Sequence, residues 1–403
     1  MILDSESETE AVPFSFAELF FSRTDIHGKI LSGNSVFQRI SQYDWDEMVG
    51  KPHNIIRHPD MPRGVFYLLW DFLNQGKPIG AYVKNRAKDG RYYWVFALIT
   101  PVEDGFLSVR IKPSSAVFGI VQGAYRTLLA VEQGQKLTPK ASAQCLLETI
   151  QSLGFADYDA FMSHALREEL CARDAQLERP EQTFLKNYQT LTNCAQTMKD
   201  EIARIAASYD ESRYVSLNLQ IRSAQLGREG EAIGVISSSF RKISAETHQE
   251  IDTFSASADK VFGHIAIGQF LLCTAHIQEE ALRFHMQDVA GQGRAEQESE
   301  LEMLRQQSES YRQQAVRGLK NIQNDISAFN DDYLRMKRCV TSLGVIRVMG
   351  KVDAARVSGQ QNGLSELIED LNVFQTTVTE SLSRIEYQSV EMKGAVGEIL
   401  SEL

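Results

Sequence analysis

The reading of the fold turns on Ile79-Gly80-Ala81-Tyr82-Val83-Lys84-Asn85-Arg86-Ala87, then Lys88-Asp89-Gly90, then Arg91-Tyr92-Tyr93-Trp94-Val95 and on to Val102. Two runs rich in aromatic and β-branched residues flank an Asp-Gly pair, which tolerates the left-handed backbone that a tight hairpin needs. A second turn at Glu103-Asp104-Gly105 leads to a third strand, Phe106 to Ile111. Upstream, Leu19 to Thr24 and Lys29 to Gly33 read as short strands around the turn Asp25-Ile26-His27-Gly28. Asn34 is placed to cap a short helix carrying Val36, Phe37 and Ile40, and Asp44-Trp45-Asp46-Glu47 opens another with acidic residues in its first turn. Pro52, Pro59 and Pro62 keep the next stretch irregular, and Pro62 suits the first position of a helix through Phe66, Leu69, Trp70 and Leu73. Two strands, short helices, then three strands predict an α+β domain: a five-stranded antiparallel sheet with helices packed on one face.

Pro52-His53-Asn54, Arg57-His58-Pro59-Asp60-Met61-Pro62, Trp70, Val83-Lys84-Asn85-Arg86 and Tyr92-Tyr93-Trp94 hold more polar and aromatic chemistry than a small core requires. We read them as the wall of a pocket for a flat ligand with polar edges. In the plainer alternative, Arg57 and Asp60 pair on a loop and Trp70 belongs to the core.

These residues, with Lys88-Asp89-Gly90 and Tyr93-Trp94-Val95, closely resemble the PAS domain of bacterial aerotaxis receptors, over about residues 18 to 115 and without gaps in the core. The resemblance implies a PAS domain that binds FAD non-covalently and reports redox state, with Asn34, Arg57, His58, Asp60, Trp70 and Asn85 at matching positions. Ile79 stands where that family usually has tryptophan after Gly-x-Pro. For such a ligand, Trp70 and the aromatic strand around Tyr92 suit the faces of an isoalloxazine ring, and the amide of Asn85 can donate and accept at its rim. Arg57 suits a phosphate, with His58 as a second donor.

The chain has 403 residues, 43% apolar and 24% charged, enough for two or three domains. A net charge of -11 disfavours nucleic acid and anionic membrane surfaces as partners. Cysteines at 145, 171, 194, 273 and 339 are odd in number and widely spaced, as free thiols in a reducing compartment would be, so the expected location is cytoplasmic. The acidic start Met-Ile-Leu-Asp-Ser-Glu is unlike a signal peptide, and no uninterrupted apolar run approaches the roughly 20 residues of a membrane span.

The expected organisation is a mobile acidic tail (1–13), the PAS domain (14–115), an all-α connector (116–185), and two helical hairpins (186–290 and 294–403) forming a long four-helix coiled-coil bundle. Breaks at Leu137-Thr138-Pro139 and Gly154-Phe155-Ala156-Asp157 divide the connector into about three helices. The bundle follows from four seams with alternating spacings of three and four. They run from Leu191 through Ile202, Ile205 and Ser212 to Leu226, from Phe254 to Leu272, from Leu301 to Met336, and from Leu364 to Ile385.

Ser216 to Gly230 and on to Ile243 resembles the hairpin tip of methyl-accepting chemotaxis receptors, which docks the kinase CheA and the coupling protein CheW, with Gly227 and Gly230 as the turn. Arg222 stands where those tips have Glu, Gln225 where they have Arg, and Ala232-Ile233 where they have Gly-Phe. Val348 to Arg356 is a second echo that keeps Asp353 and Arg356, so the chain reads as a single-chain pseudo-dimer joined at Gly291-Gln292-Gly293. Cys273, His276, His285 and His264 match no closed zinc pattern and read as residues beside a seam, while Gln278-Glu279 reads as solvated helix surface.

The first functional expectation is a redox or energy-taxis sensor rather than an enzyme: FAD in the PAS domain, output through the receptor-like bundle, and CheW, CheA or other chemoreceptors as partners. The alternative is a cofactor-free PAS adaptor or scaffold that docks to such assemblies. Self-association of the bundle into a homo-oligomer is compatible with either.

Overall fold

The computed structural model describes residues 11–212, 214–226, 231–289, 295–354 and 362–403, with most of their side chains. Five strands, β1 (Phe20–Asp25), β2 (Ile30–Gly33), β3 (Ile79–Arg86), β4 (Tyr92–Val102) and β5 (Gly105–Ile111), form one sheet in the order β2-β1-β5-β4-β3. Every pairing is antiparallel. The helices α1 (Ser35–Ser41), α2 (Trp45–Met48) and α3 (Arg63–Asn74), with a 3-10 turn at His53–Ile56, fall between β2 and β3. Asn34 caps α1 by accepting from the Phe37 N–H. Pro62 occupies the N-cap of α3, one position earlier than expected; its fixed φ and missing N–H are tolerated there because that amide has no helical partner.

The expected mobile tail differs in its last residues. Val12 donates its N–H to the Tyr92 carbonyl at 2.8 Å and is buried, a pairing too short to leave a period in the sequence. The first ten residues lie outside the described residues.

Strand alternation sends side chains to two faces. Ser22, Thr24, Val83, Asn85, Ala97, Ile99, Phe106, Ser108 and Arg110 share the inner face that looks toward the short helices. The outer face carries Phe21, Gly80, Tyr82, Trp94, Phe96 and Thr100. Three connector helices follow, α4 (Ala116–Gln135), α5 (Pro139–Ser152) and α6 (Tyr158–Gln176). On the outer face, the buried Glu169 of α6 accepts from Tyr82 Oη at 2.8 Å, Ser115 Oγ at 2.6 Å and the Ser114 N–H at 2.7 Å. Tyr158 donates to the Gly80 carbonyl at 3.0 Å, and the Trp94 ring meets Phe118 edge-on at 5.4 Å. Around α3, the buried carboxylate of Glu132 accepts from the Arg63 N–H at 2.8 Å and from Ser142 Oγ. An anion at a helix N-terminus satisfies amides that the helix leaves open.

Five helices complete the described chain: α7 (Thr183–Ser212), α8 (Val215–Leu226), α9 (Glu231–Val289), α10 (Ala295–Ala354) and α11 (Asn362–Glu402). The chain divides into two compact units, residues up to 185 with 266–317, and residues 186–265 with 318–403. In the second unit the seams are buried at Leu191, Met198, Ile205, Phe254, Val261, Ile322, Phe329, Val378 and Ile385. Phe254 and Phe329 stack at 4.5 Å. The first seam differs from expectation in being split between α7 and α8. Ser212 turns its hydroxyl back to the Tyr209 carbonyl at 3.0 Å, a local bond that competes with the helix ladder, and its seam position offers no apolar surface to hold the helix straight.

In the first unit, Phe270, Cys273, Ile277 and Ala281 of α9 and Leu304 of α10 join the core of the sheet domain. Gln278 is fully buried there, which corrects its reading as solvated surface: it lies on the same side of α9 as Ile277 and Ala281, facing the sheet. The histidines beside the seams find separate neighbours. His264 pairs with Asp325, His276 lies 5.4 Å from the Phe184 ring, and His285 meets Phe21 edge-on at 4.7 Å. One helical stretch, Gly234–Met286, is long and apolar enough by length and composition to cross a membrane, and 61% of its most apolar window is buried inside the chain, as in a core helix. Gly227, Gly230, the Gly291-Gln292-Gly293 linker and Arg356 lie outside the described residues, as do the side chains of Arg222, Ala232, Ile233 and Asp353.

Candidate functional site

Between the inner face and α3 lies a cavity of about 240 Å³. Its floor is set by strand register: Ser22 pairs opposite Ser108, and Ser108 opposite Ile99, so a row of small and apolar side chains crosses three strands. One register step away, Arg110 pairs opposite Ala97, where a small neighbour leaves room for the guanidinium. Leu69, Trp70 and Leu73 of α3 form the opposite wall. Trp70 meets Phe106 edge-on at 5.7 Å and is 37% exposed, so it stands at the mouth. It packs against the β1–β2 turn at Gly28, whose φ of +74° and lack of a Cβ permit the approach: a Cβ there would sit 3.1 Å from the indole.

The polar groups of the wall are only partly partnered. Asn85 is 3% exposed, and its Nδ2 has no hydrogen-bond partner among the described residues; the same holds for Ser108 Oγ. Arg110 is 4% exposed and donates to Ser22 Oγ at 3.0 Å and to His53 Nε2 at 2.7 Å, and no carboxylate pairs with it among the described residues. Burial pushes its pKa down to about 10, and it remains charged at neutral pH. Burial, helped by the Arg110 charge, pushes His53 down to about 3, so its ring is neutral and accepts from the guanidinium. His53 also stacks on Phe37 at 5.9 Å. Among the described residues, a buried cation without an anion and two buried polar groups without partners converge on one cavity, which leaves hydrogen-bonding capacity unspent there.

Of the six residues singled out from sequence, Arg57, Trp70 and Asn85 line this cavity. Arg57 lies at the edge with its guanidinium 3.8 Å over the Phe66 ring. The other three lie elsewhere. Asn34 is consumed by the fold: besides capping α1 it accepts from the Phe21 N–H at 3.3 Å and donates to the Leu19 carbonyl at 2.8 Å. His58 Nδ1 accepts from the Asp60 N–H at 3.1 Å, and Asp60, its side chain 57% exposed, pairs with Lys84 at 3.3 Å. Ile79 is buried and pairs opposite the cavity residue Ile99, so it stands on the same inner face beside the cavity without lining it. Sequence reasoning missed Ser108 and Arg110. Their signal was present in Phe106-Leu107-Ser108-Val109-Arg110, where alternate positions put a hydroxyl and a charge on the same face as Phe106.

These features are those of a PAS fold, and residues 30–108 match the PAS fold family. Over 130 residues the chain is 33% identical to the aerotaxis receptor of Escherichia coli, covering 31% of this chain and 26% of that one. It is 22% identical over 283 residues to the biofilm dispersion protein BdlA of Pseudomonas aeruginosa, covering 70% of this chain and 63% of the relative. The chain therefore spans about a quarter of the first relative and less than two thirds of the second. Among solved structures, a PAS domain from Colwellia psychrerythraea matches 23% of this chain and 85% of its own at 21% identity and a TM-score of 0.20. The light-state LOV domain of Aureochrome1 matches 28% and 90% at 20% identity and a TM-score of 0.23. The chain carries a PAS domain similar to that of the aerotaxis receptor, followed by a long helical region.

Proposed function

We propose that this chain is a taxis-type signal transducer rather than an enzyme, and that its PAS cavity takes FAD as a redox sensor. The observation that carries the reading is the buried Arg110, which has no carboxylate partner among the described residues, beside Asn85 Nδ2 and Ser108 Oγ, which have no hydrogen-bond partner among them. The volume suits a flat ring system, and Arg57 stands at the cavity edge over the Phe66 ring. A bound flavin supplies reversible reduction, which adds electrons and protons at the edge of its ring. On the protein side, Asn85 offers an amide that can present either donor or acceptor, Ser108 a rotatable hydroxyl, and Arg110 a fixed positive charge. Arg57, half-buried at the edge, suits a phosphate. Output would pass to the helical bundle and on to CheW, CheA or other chemoreceptors. We place the protein in the cytoplasm, where its five cysteines, none of them in a disulfide, would stay reduced.

The test is a visible spectrum of the purified protein, and again after incubation with FAD. Flavin absorption bleached by dithionite is expected. A colourless protein that stays colourless sinks the cofactor reading and leaves the adaptor reading, which pull-down with CheW and CheA then tests.

A further inference from the structure

The face that α9 turns toward the sheet is made of unusual material. From Phe270 through Thr274, Gln278 and Ala281 to His285, the spacing of three and four describes a stripe that packs into the sheet-domain core, yet three of its five members are polar and all are buried. Gln278 Nε2 donates to Thr100 Oγ1 at 3.1 Å, while its Oε1 has no partner among the described residues. Thr274 Oγ1 has none, and neither ring nitrogen of His285 makes a hydrogen bond there; Glu300 stands 3.6 Å from Nε2. Each such group forfeits desolvation free energy that an apolar residue of the same shape would not. A contact meant to be permanent would be built of leucine and valine. This one is apolar enough to form and polar enough to open.

Its position ties it to the cavity. The Thr100 hydroxyl that accepts from Gln278 donates in turn to the Leu107 carbonyl at 3.3 Å. Leu107 lies between Phe106 and Ser108, and Thr100 follows Ile99; all three of these neighbours line the cavity. Phe21, which holds the His285 ring, precedes the cavity residue Ser22. A change in hydrogen bonding at the inner face therefore reaches the α9 contact across the thickness of one sheet.

We propose that residues 266–289 of α9 form a releasable latch on the outer face of the PAS sheet, read from the cavity through Thr100 and Gln278. The link to the cavity rests on the ligand-sensing reading above; the metastability of the latch does not. A shift of the sheet that weakens the latch moves the population toward the released helix.

Hydrogen exchange measured by mass spectrometry on the full chain tests both parts. Thr274→Val keeps the shape and removes a lone hydroxyl; Gln278→Leu removes the half-satisfied amide and leaves Thr100 bonded to Leu107. Each is expected to slow exchange across 266–289 by about tenfold, with or without flavin. If both leave exchange unchanged or faster, the latch is overturned. In wild-type protein with bound FAD, dithionite reduction is expected to raise exchange across 266–289 several-fold, and the two variants to suppress the rise. If the flavin bleaches while 266–289 stays unchanged, the link is overturned and the cofactor reading stands. If no flavin binds, the cofactor reading fails and the variant comparison still decides the latch.

Discussion

Arg110 Nη2 lies 2.7 Å from His53 Nε2 inside the PAS domain. The guanidinium can only donate, so Nε2 accepts and the ring proton sits on Nδ1. The pair has one net positive charge and no counter-ion among the described residues. For flavin-loaded protein this gives a signed expectation. Arg110→Met removes a charge that favours the electron-richer form of the cofactor, so the midpoint potential moves negative, by about 60 mV if the one-electron equilibrium changes tenfold. Arg110→Lys stays close to wild type. Spectroelectrochemical titration reads both, and a positive shift in Arg110→Met refutes the assignment.

Binding and folding separate at two asparagines. Asn85 presents an unpartnered Nδ2 to the cavity, and Asn85→Ala is expected to lower FAD affinity 10- to 100-fold with little change in stability. Asn34 spends its amide on Leu19, Phe21 and Phe37, so Asn34→Ala is expected to cost roughly 2–3 kcal/mol of folding free energy. Asp60→Ala, at an exposed ion pair, is expected to change neither by much. Fluorescence titration of flavin beside urea unfolding of the same proteins separates the three.

Acid stability follows from His53. Its pKa in the folded protein is about 3, against 6.5 for the free side chain. Between those values the unfolded chain binds a proton that the folded chain refuses. Stability is therefore full above about pH 6.5 and falls as the pH drops toward about 3. His164 and His276, which burial also holds down, act in the same direction. The urea midpoint is expected to fall through this window, and His53→Gln, which keeps an acceptor for Arg110, to flatten the slope by about one proton. An unchanged slope in that variant assigns the effect to the other histidines.

Glu169 holds the connector to the sheet through Tyr82, Ser114 and Ser115. Glu169→Ala strands two hydroxyls and two backbone amides, at a cost of roughly 3 kcal/mol or more. Tyr82→Phe removes one of the stranded donors, so the double variant is expected to be less destabilised than the sum of the two singles. Additive losses in thermal unfolding would show that the groups do not act as one cluster.

The sheet was legible in the sequence because its turns and alternation are local: Lys88-Asp89-Gly90 names the hairpin, and the two-residue period names the faces. The cavity was half legible. A linear match brings Asn34, His58 and Asp60 along with Asn85, yet only the three-dimensional register separates the cap and the exposed loop from the wall. Arg110 escaped because a single charge inside Phe106 to Ile111 does not disturb an otherwise apolar strand. The seams predicted the second unit's core, but a heptad does not name its partner. Gln278 looked solvated because nothing in α9's own sequence reveals the sheet that covers it.

Gly80 lies where the sheet and α9 come close together. Its carbonyl takes the Tyr158 hydroxyl, and a Cβ on it would stand 2.8 Å from Phe96 and 3.3 Å from Phe270 of α9. A single methyl group there is a wedge between sheet and helix, on the face of the sheet opposite the cavity. If α9 is released as proposed, the smallest change to the gene at position 80 would lift the long helix without any stimulus and hold the chain in its released form.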